Sequence, residues 1–255
     1  MLADDLFSLA ALMRTPGYAY ELITVMPQVG EAQNAGIAVD CFRRAVHSLG
    51  ADAGVFQSVV IDSAECHSVR YLLATDPVWT IQYEQLCRER PGPWIRHAMH
   101  SEMAIRGTEL SLLPEEEDFV RTAARLGFAS SLAIPIPSCV GISRVGVLLL
   151  GSCTLGFFES EGFPTIRAMA RSLAGELNQW LLASMRAKMI ARFRLTAQDI
   201  ALLRHEAAGH TSKTISAELD IEPKAVDSRF HRLAVKLNVP DRRTAARIAR
   251  LYGVL

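Results

Sequence analysis

The sequence predicts an α+β protein: an N-terminal α/β/α sandwich on an antiparallel sheet, then a four-helix helix–turn–helix domain. Three observations carry this. Four β-type runs are interrupted by helical stretches in the order helix, strands, helices, strands, long helix. That order fits a sheet covered by helices rather than a chain of βαβ units. The tail beyond residue 190 contains only short helical periods, punctuated by glycine and proline. Charge is also divided. The chain has 27 basic and 27 acidic residues, yet residues 194–255 hold 11 basic and 7 acidic ones, leaving residues 1–193 at −4. With Arg186, Lys188 and Arg192 the tail reaches +7. A basic tail on an acidic body is the electrostatic footprint of a nucleic-acid binder.

The elements follow in order. Residues 4–13 form a short amphipathic helix. Residues 30–49 space Ile37, Ala38, Cys41, Phe42, Ala45 and Leu49 for a helix that Gly50 ends. GVFQSVVI (54–61) and SVRYLLA (68–74) read as strands. Residues 77–105 read as short helices and loops. The helix over 114–128 opens with Pro114 and three glutamates, which favour a helix N-terminus. SSLAIPI (130–136) and RVGVLLLGS (144–152) are strands. A long helix covers 158–188 with Ile166, Met169, Ala170, Leu173, Leu177, Trp180 and Leu181 on one stripe. A sheet covered in this way can enclose a small-molecule cavity.

The tail holds four helices. Thr196 caps the first, with Asp199 three residues later in a near capping box, and Gly209 ends it. Thr211 caps the second, whose core side is Ile215 and Leu219. The turn DIEP places Pro223 at the first position of the third helix. There Val226, Phe230, Leu233 and Leu237 fall within about 60° of one another. Lys224, Ser228, His231 and Arg232 lie opposite, with Asp227 on the flank. A helix with an apolar back and that polar front fits a DNA major groove, where polar side chains reach base edges and Lys and Arg find phosphates. Thr211 and Lys213 in the preceding helix, and Lys236 beyond, complete the predicted DNA-binding set. The fourth helix closes the core with Ala246, Ile248 and Leu251.

Other signals are weak. The five cysteines, Cys41, Cys66, Cys87, Cys139 and Cys153, are odd in number and form no C-x-x-C, so reduced thiols and a cytoplasmic location are expected. No signal peptide and no apolar run long enough for a membrane span are found. His97 and His100 are three apart, but no third ligand completes a metal set. Cys66 and His67 are adjacent on a strand and point to opposite faces. Glu115, Glu116 and Glu117 are a helix-start charge run. Phosphate-loop, dinucleotide and nucleophile-elbow motifs are missing, so no enzyme, no metal and no cofactor are expected.

The tail resembles the helix–turn–helix domain of the LuxR family of quorum-sensing transcription regulators. The match runs from Leu195 and Thr196 through Leu203, Gly209, Thr211, Ile215, Leu219, Ile221 and Val226, then Lys236, Leu237, Asn238, Val239, Arg242 and Ala245. Asp199 stands for the family's Glu, Glu222 for its Ser cap and Ala225 for its Thr. The family's base-reading positions fall on Asp227 and His231. Residues 70–152 resemble the family's autoinducer-binding domain through Trp79, Tyr83, Pro93, Ala123, Ala124, Gly127, Ile134, Pro135 and Ile136. In the family the Trp donates to an acyl-homoserine lactone carbonyl, and an Asp just before the Pro accepts from the ligand amide. That Asp is Gly92 here, a second family Trp is Gly107, and a strand-entry Gly is Ser131. Glu89 and Glu109 are substitute acceptors, and Trp94 is placed to fill space left by the missing Trp.

The resemblance implies a sensory and dimerisation domain over 1–185, a linker at 186–190 and a DNA-binding domain over 191–255. The expected protein is a homodimer on a double-stranded operator, paired through the 158–188 helix. Its pocket (Trp79, Tyr83, Pro93, Trp94, Ser131) is diverged: ligand-independent, or built for a non-standard signal in place of an acyl-homoserine lactone. Two alternatives stand beside it. One is a conventional lactone-responsive regulator. The other is an interaction protein that silences a relative by heterodimerisation.

Overall fold

The computed structural model describes residues 9–61, 67–86, 91–138, 140 and 143–255. The chain divides into two compact units, Met1–Trp180 and Leu181–Leu255. The first is built on one sheet, whose strands β1 (Ala53–Ile61), β2 (His67–Ala74), β3 (Ile105–Arg106), β4 (Ser130–Ile136) and β5 (Arg144–Ser152) lie in the order β2-β1-β5-β4-β3. Every neighbouring pair is antiparallel. All nine residues of β5 are buried, as expected for a central strand covered on both faces.

The two faces separate by residue parity. Gly54 faces α3 (Ala35–Ser48): a Cβ there would lie 2.5 Å from Val46 Cγ2. Its neighbour Val55 pairs with Leu73 and Leu149 and turns to the opposite layer. That layer joins Val145, Val147, Leu149 and Ala133 to Trp79 of α4 (Val78–Leu86), Trp94 and Ile95 of α5 (Pro93–His100), and Phe119 and Ala123 of α6 (Glu117–Ala123). Gly127, at φ +98°, turns the chain out of α6 toward β4 in a conformation that favours glycine. Arg96 of α5 holds Glu116 with two hydrogen bonds, one from Nε at 3.0 Å, and so ties α5 to the start of α6.

Two elements escaped the sequence reading: α2 (Tyr18–Gly30) and the two-residue β3. α2 buries Leu22, Val25, Met26 and Val29 at helical spacing, but Pro27 and β-branched Ile23, Thr24 and Val25 obscure the signal. Of the helix expected over 4–13, Leu9–Met13 is described as α1. α7 runs Phe163–Phe193, so 157–159 is a short 3-10 turn rather than its start. Residues 186–190, read as a linker, are helical within α7. Of the predicted stripe, Ile166, Ala170, Leu173, Leu177, Trp180 and Leu181 are buried, whereas Met169 is only partly buried. Trp180 Nε1 donates to the Ala32 carbonyl at 2.8 Å, anchoring α7 to the α2–α3 turn.

Tyr18 carries its phenol into the interior, where the hydroxyl finds no hydrogen-bond partner among the described residues. Burial pushes its pKa up to about 12. Tyr18→Phe removes an unsatisfied polar atom at almost constant shape. It is expected to leave stability unchanged or raise it by up to about 1 kcal/mol in urea unfolding.

Candidate nucleic-acid interface and ligand layer

The second unit contains α8 (Ala197–Ala207), α9 (Ser212–Leu219), α10 (Pro223–Leu237) and α11 (Arg242–Leu251) around one core. Leu203, Ile215, Val226, Phe230, Leu233, Ala245 and Ala249 are among its buried members. Each start has a local cause. Thr196 and Asp199 form a reciprocal capping box on α8. Thr211 Oγ1 accepts from Thr214 N at 3.2 Å and caps α9. Pro223 supplies the first turn of α10, whose N-cap Glu222 makes no side-chain cap. Asp241 caps α11 through Thr244 N at 2.8 Å.

α10 buries Val226, Phe230, Leu233, Ala234 and Leu237. Lys224, Ser228, His231 and Arg232 are exposed on its other side, and Thr211 and Lys213 are exposed at the start of α9. Among the described residues, Lys213, Lys224 and Arg232 enter no ion pair, which leaves those charges available to phosphate.

Two of the predicted DNA-contact residues have internal partners. Asp227 accepts from Ser212 Oγ at 2.7 Å and lies 3.8 Å from Arg242 Nη1, joining α10 to α9 and α11. Lys236 Nζ donates to Asp199 Oδ2 at 2.7 Å. Burial by itself would raise the Asp199 pKa, but Lys236 and the Thr196 N–H and hydroxyl outweigh it and hold the carboxyl below the ordinary aspartate range. Lys236 therefore braces α8 against α10. Sequence periodicity places a side chain on a face but does not reveal which opposite charge the fold brings to it.

In the first unit Trp79, Trp94 and Pro93 are buried. Trp79 meets Phe119 and Tyr71 edge-on at 6.1 and 6.2 Å, and Trp94 meets Phe119 at 5.2 Å. The side chain of Tyr83 and the whole of Glu89 and Cys66 lie outside the described residues. Ser131 is buried, and its Oγ sits 2.5 Å from where a Cβ on Gly107 would lie. The two departures at 107 and 131 are thus coupled: the serine hydroxyl occupies the start of the space a larger residue 107 would need. Glu109 pairs with the Arg106 guanidinium and accepts from Arg106 N at 3.0 Å, so its carboxylate is committed there. His97 and His100 contact separate carbonyls, Met103 O and Arg96 O, each at 2.8 Å, and do not form a metal pair.

One residue in this layer was missed. Gln57 lies at the middle of β1, opposite Tyr71 and Val147, on the same face as Val55 and Val59. It is 2 % exposed, and its Nε2 has no hydrogen-bond partner among the described residues. A lone amide inside GVFQSVVI was the available signal. A cleft of about 270 Å³ opens where α5 ends, lined by Met99, His100, Glu102, Ile136, Arg144 and Val145. Val145 is part of the buried layer and Met99 packs against it.

These features define a two-unit protein with a layered α/β unit and a helix–turn–helix unit. Residues 194–249 match the family of bacterial regulatory proteins of the luxR family (GerE), so the C-terminal unit is a luxR-type helix–turn–helix domain. No curated protein matches the chain by sequence. In fold the chain is similar to Escherichia coli SdiA, at TM-score 0.67 and 15% identity over 93% of this chain and 98% of that one. SdiA in complex with octanoyl-rac-glycerol gives TM-score 0.65 and 15% identity, covering 93% and 96%. The N-acylhomoserine lactone dependent factor CepR2 of Burkholderia cenocepacia gives 0.56 and 16% over 66% of this chain and 97% of that one. No helix among the described residues is long and apolar enough to cross a membrane.

Proposed function

We propose that this chain is a dimeric, DNA-binding transcription regulator of the LuxR type, not an enzyme, with a sensory layer that has diverged from lactone recognition. The observation that carries the reading is the α10 surface. Lys224, Ser228, His231 and Arg232 stand exposed over a buried apolar back, beside the Thr211-capped start of α9. One such helix touches few base pairs, and two half-sites a helical turn apart give usable affinity. The apolar stripe of α7 is already buried, so pairing through that helix would use its opposite side.

Residue 92 offers no side-chain acceptor for a ligand amide, whereas Gln57 offers a buried donor. That exchange favours a ligand with an acyl chain and a carbonyl or ester acceptor over an N-acyl lactone. Thermal unfolding with monoacylglycerols and with acyl-homoserine lactones tests it. A ligand at 100 times its dissociation constant stabilises the native state by about 2.7 kcal/mol. A shift with acylglycerols alone supports the reading, and one with lactones alone overturns it.

DNA binding is tested with an operator selected by the purified protein from random duplexes. Log affinity is expected to fall linearly against log salt. Lys224→Ala and Arg232→Ala are each expected to weaken binding and to reduce the salt slope by about 1. If neither change alters affinity, the α10 surface does not face DNA.

A further inference from the structure

The C-terminal cap of α8 gathers three metal-ligating side chains. Gly209, at φ +77°, lets the chain leave α8 in a Schellman turn, with Gly209 N donating to Glu206 O at 2.9 Å and His210 N to His205 O at 3.0 Å. That turn brings together the side chains at its two ends, a pair that is commonly apolar. Here both are histidine, with ring centroids 5.3 Å apart and Nδ1 atoms 3.0 Å apart. Glu218, from the last turn of α9, adds its carboxylate: Oε2 is 3.4 Å from His205 Nδ1 and Oε1 is 3.8 Å from His210 Nδ1.

We propose that His205, His210 and Glu218 form a binding site for a divalent transition-metal ion of the zinc class. Metal–nitrogen and metal–oxygen bonds of about 2.0–2.2 Å in a tetrahedron set adjacent ligand atoms about 3.3–3.5 Å apart. The closest approaches, 3.0 Å between the two Nδ1 atoms and 3.4 and 3.8 Å from them to different oxygens of Glu218, lie near that edge, and one ligand atom from each residue falls within 4.8 Å of the other two. Imidazole and carboxylate are the donors such ions take, and His₂Glu with one water is a known coordination set. Both Nδ1 atoms point inward, so each ring carries its proton on Nε2 when metal is bound. The side chains of His210 and Glu218 are 37% and 47% exposed, which gives the ion an entry path. Bound metal would join the end of α8 to the last turn of α9 and fix the residue before Thr211. On the DNA-binding reading above, it would thereby order the start of α9 that faces phosphate.

The test uses full-length protein without a histidine tag, stripped of metal and titrated with Zn²⁺ by calorimetry and with Co²⁺ by visible absorption. One equivalent of Zn²⁺ should bind, Co²⁺ should give the intense bands of tetrahedral coordination, and metal should raise the unfolding temperature. His205→Gln and His210→Gln should each weaken binding at least tenfold, and Glu218→Gln should weaken it too. The double variant His97→Gln/His100→Gln should bind like the parent. Far-UV circular dichroism of the metal-free variants confirms their folding; if the more buried His205 change unfolds the unit, His210→Gln and Glu218→Gln decide alone. No stoichiometric binding, or binding unchanged in His210→Gln and Glu218→Gln, overturns the site. Because these readouts contain no DNA, the metal site can fail while the DNA-binding reading stands. Loss of operator binding with metal affinity intact would separate the two in the other direction.

Discussion

Arg242→Ala is expected to destabilise the C-terminal unit by about 2–3 kcal/mol, the largest effect of any single charge removal there. Arg242 links three neighbouring helices. Its Nε lies 2.9 Å from Glu206 Oε2 on α8, its Nη1 donates to Ser212 Oγ of α9 at 3.0 Å, and its guanidinium covers the Phe230 ring of α10 at 5.3 Å. The Glu206 side chain is only 8% exposed, and Oε2 has no aligned hydrogen bond among the described residues despite the close approach. The pair is therefore held by charge, and truncating Arg242 strands a buried carboxylate. Arg242 is itself 35% exposed, so solvent screens part of the interaction and the estimate sits below the range for a fully buried pair. Urea unfolding followed by circular dichroism reads the change. Glu206→Gln in the Arg242→Ala background should restore more than half of it, because the stranded charge is gone. A loss under about 0.5 kcal/mol would mean that the three helices do not depend on this residue. Arg242→Lys should recover little, since an ammonium cannot reach Glu206, Ser212 and the ring together.

That network shows where sequence reading stopped. The first three tail helices were legible because each carries a local start signal: Thr196 with Asp199, Thr211 and Pro223 act within a few residues of their own position, whereas the fourth was read from its apolar positions and its Asp241 cap was not noticed. The buried sides of α7 and α10 were legible for the same reason, since period 3.6 needs no knowledge of the partner. The internal partners of Asp227 and Lys236 were not legible, because they lie 15 and 37 residues away. The His205–His210–Glu218 group was missed likewise, although its first pair is set by a glycine-ended helix readable in the sequence. In the first unit β3 has two residues and no pattern of its own; pairing with β4 makes it a strand. The coupling of Gly107 to Ser131 was invisible, since each position alone reads as an unrelated departure.

Trp79→Ala is expected to cost the N-terminal unit about 3–5 kcal/mol, enough to unfold a marginal domain. Trp79 is 1% exposed and contacts Tyr71, Phe119 and Phe128 from one point in the layer. Removing it opens a cavity bordered by three aromatic rings, and rings anchored on a strand and a neighbouring helix cannot collapse into it fully. The same residue is the one whose N–H the LuxR resemblance assigns to a ligand carbonyl, so loss of binding in Trp79→Ala would not separate packing from recognition. Trp79→Phe separates them. It keeps most of the apolar volume and deletes the donor, so stability should fall by only about 1–2 kcal/mol. If the indole reads the ligand, the unfolding shift produced by a bound acylglycerol or lactone shrinks at least tenfold in affinity terms while the apo protein stays folded. If Trp79→Phe loses stability but responds to ligand as the parent does, Trp79 is a packing residue. Gln57→Leu is the matching experiment on the strand side. It removes a buried unsatisfied amide, so the apo protein should gain stability, and a ligand held through Gln57 Nε2 should lose its effect. A gain in apo stability with an undiminished ligand shift would place the recognition chemistry elsewhere in the layer.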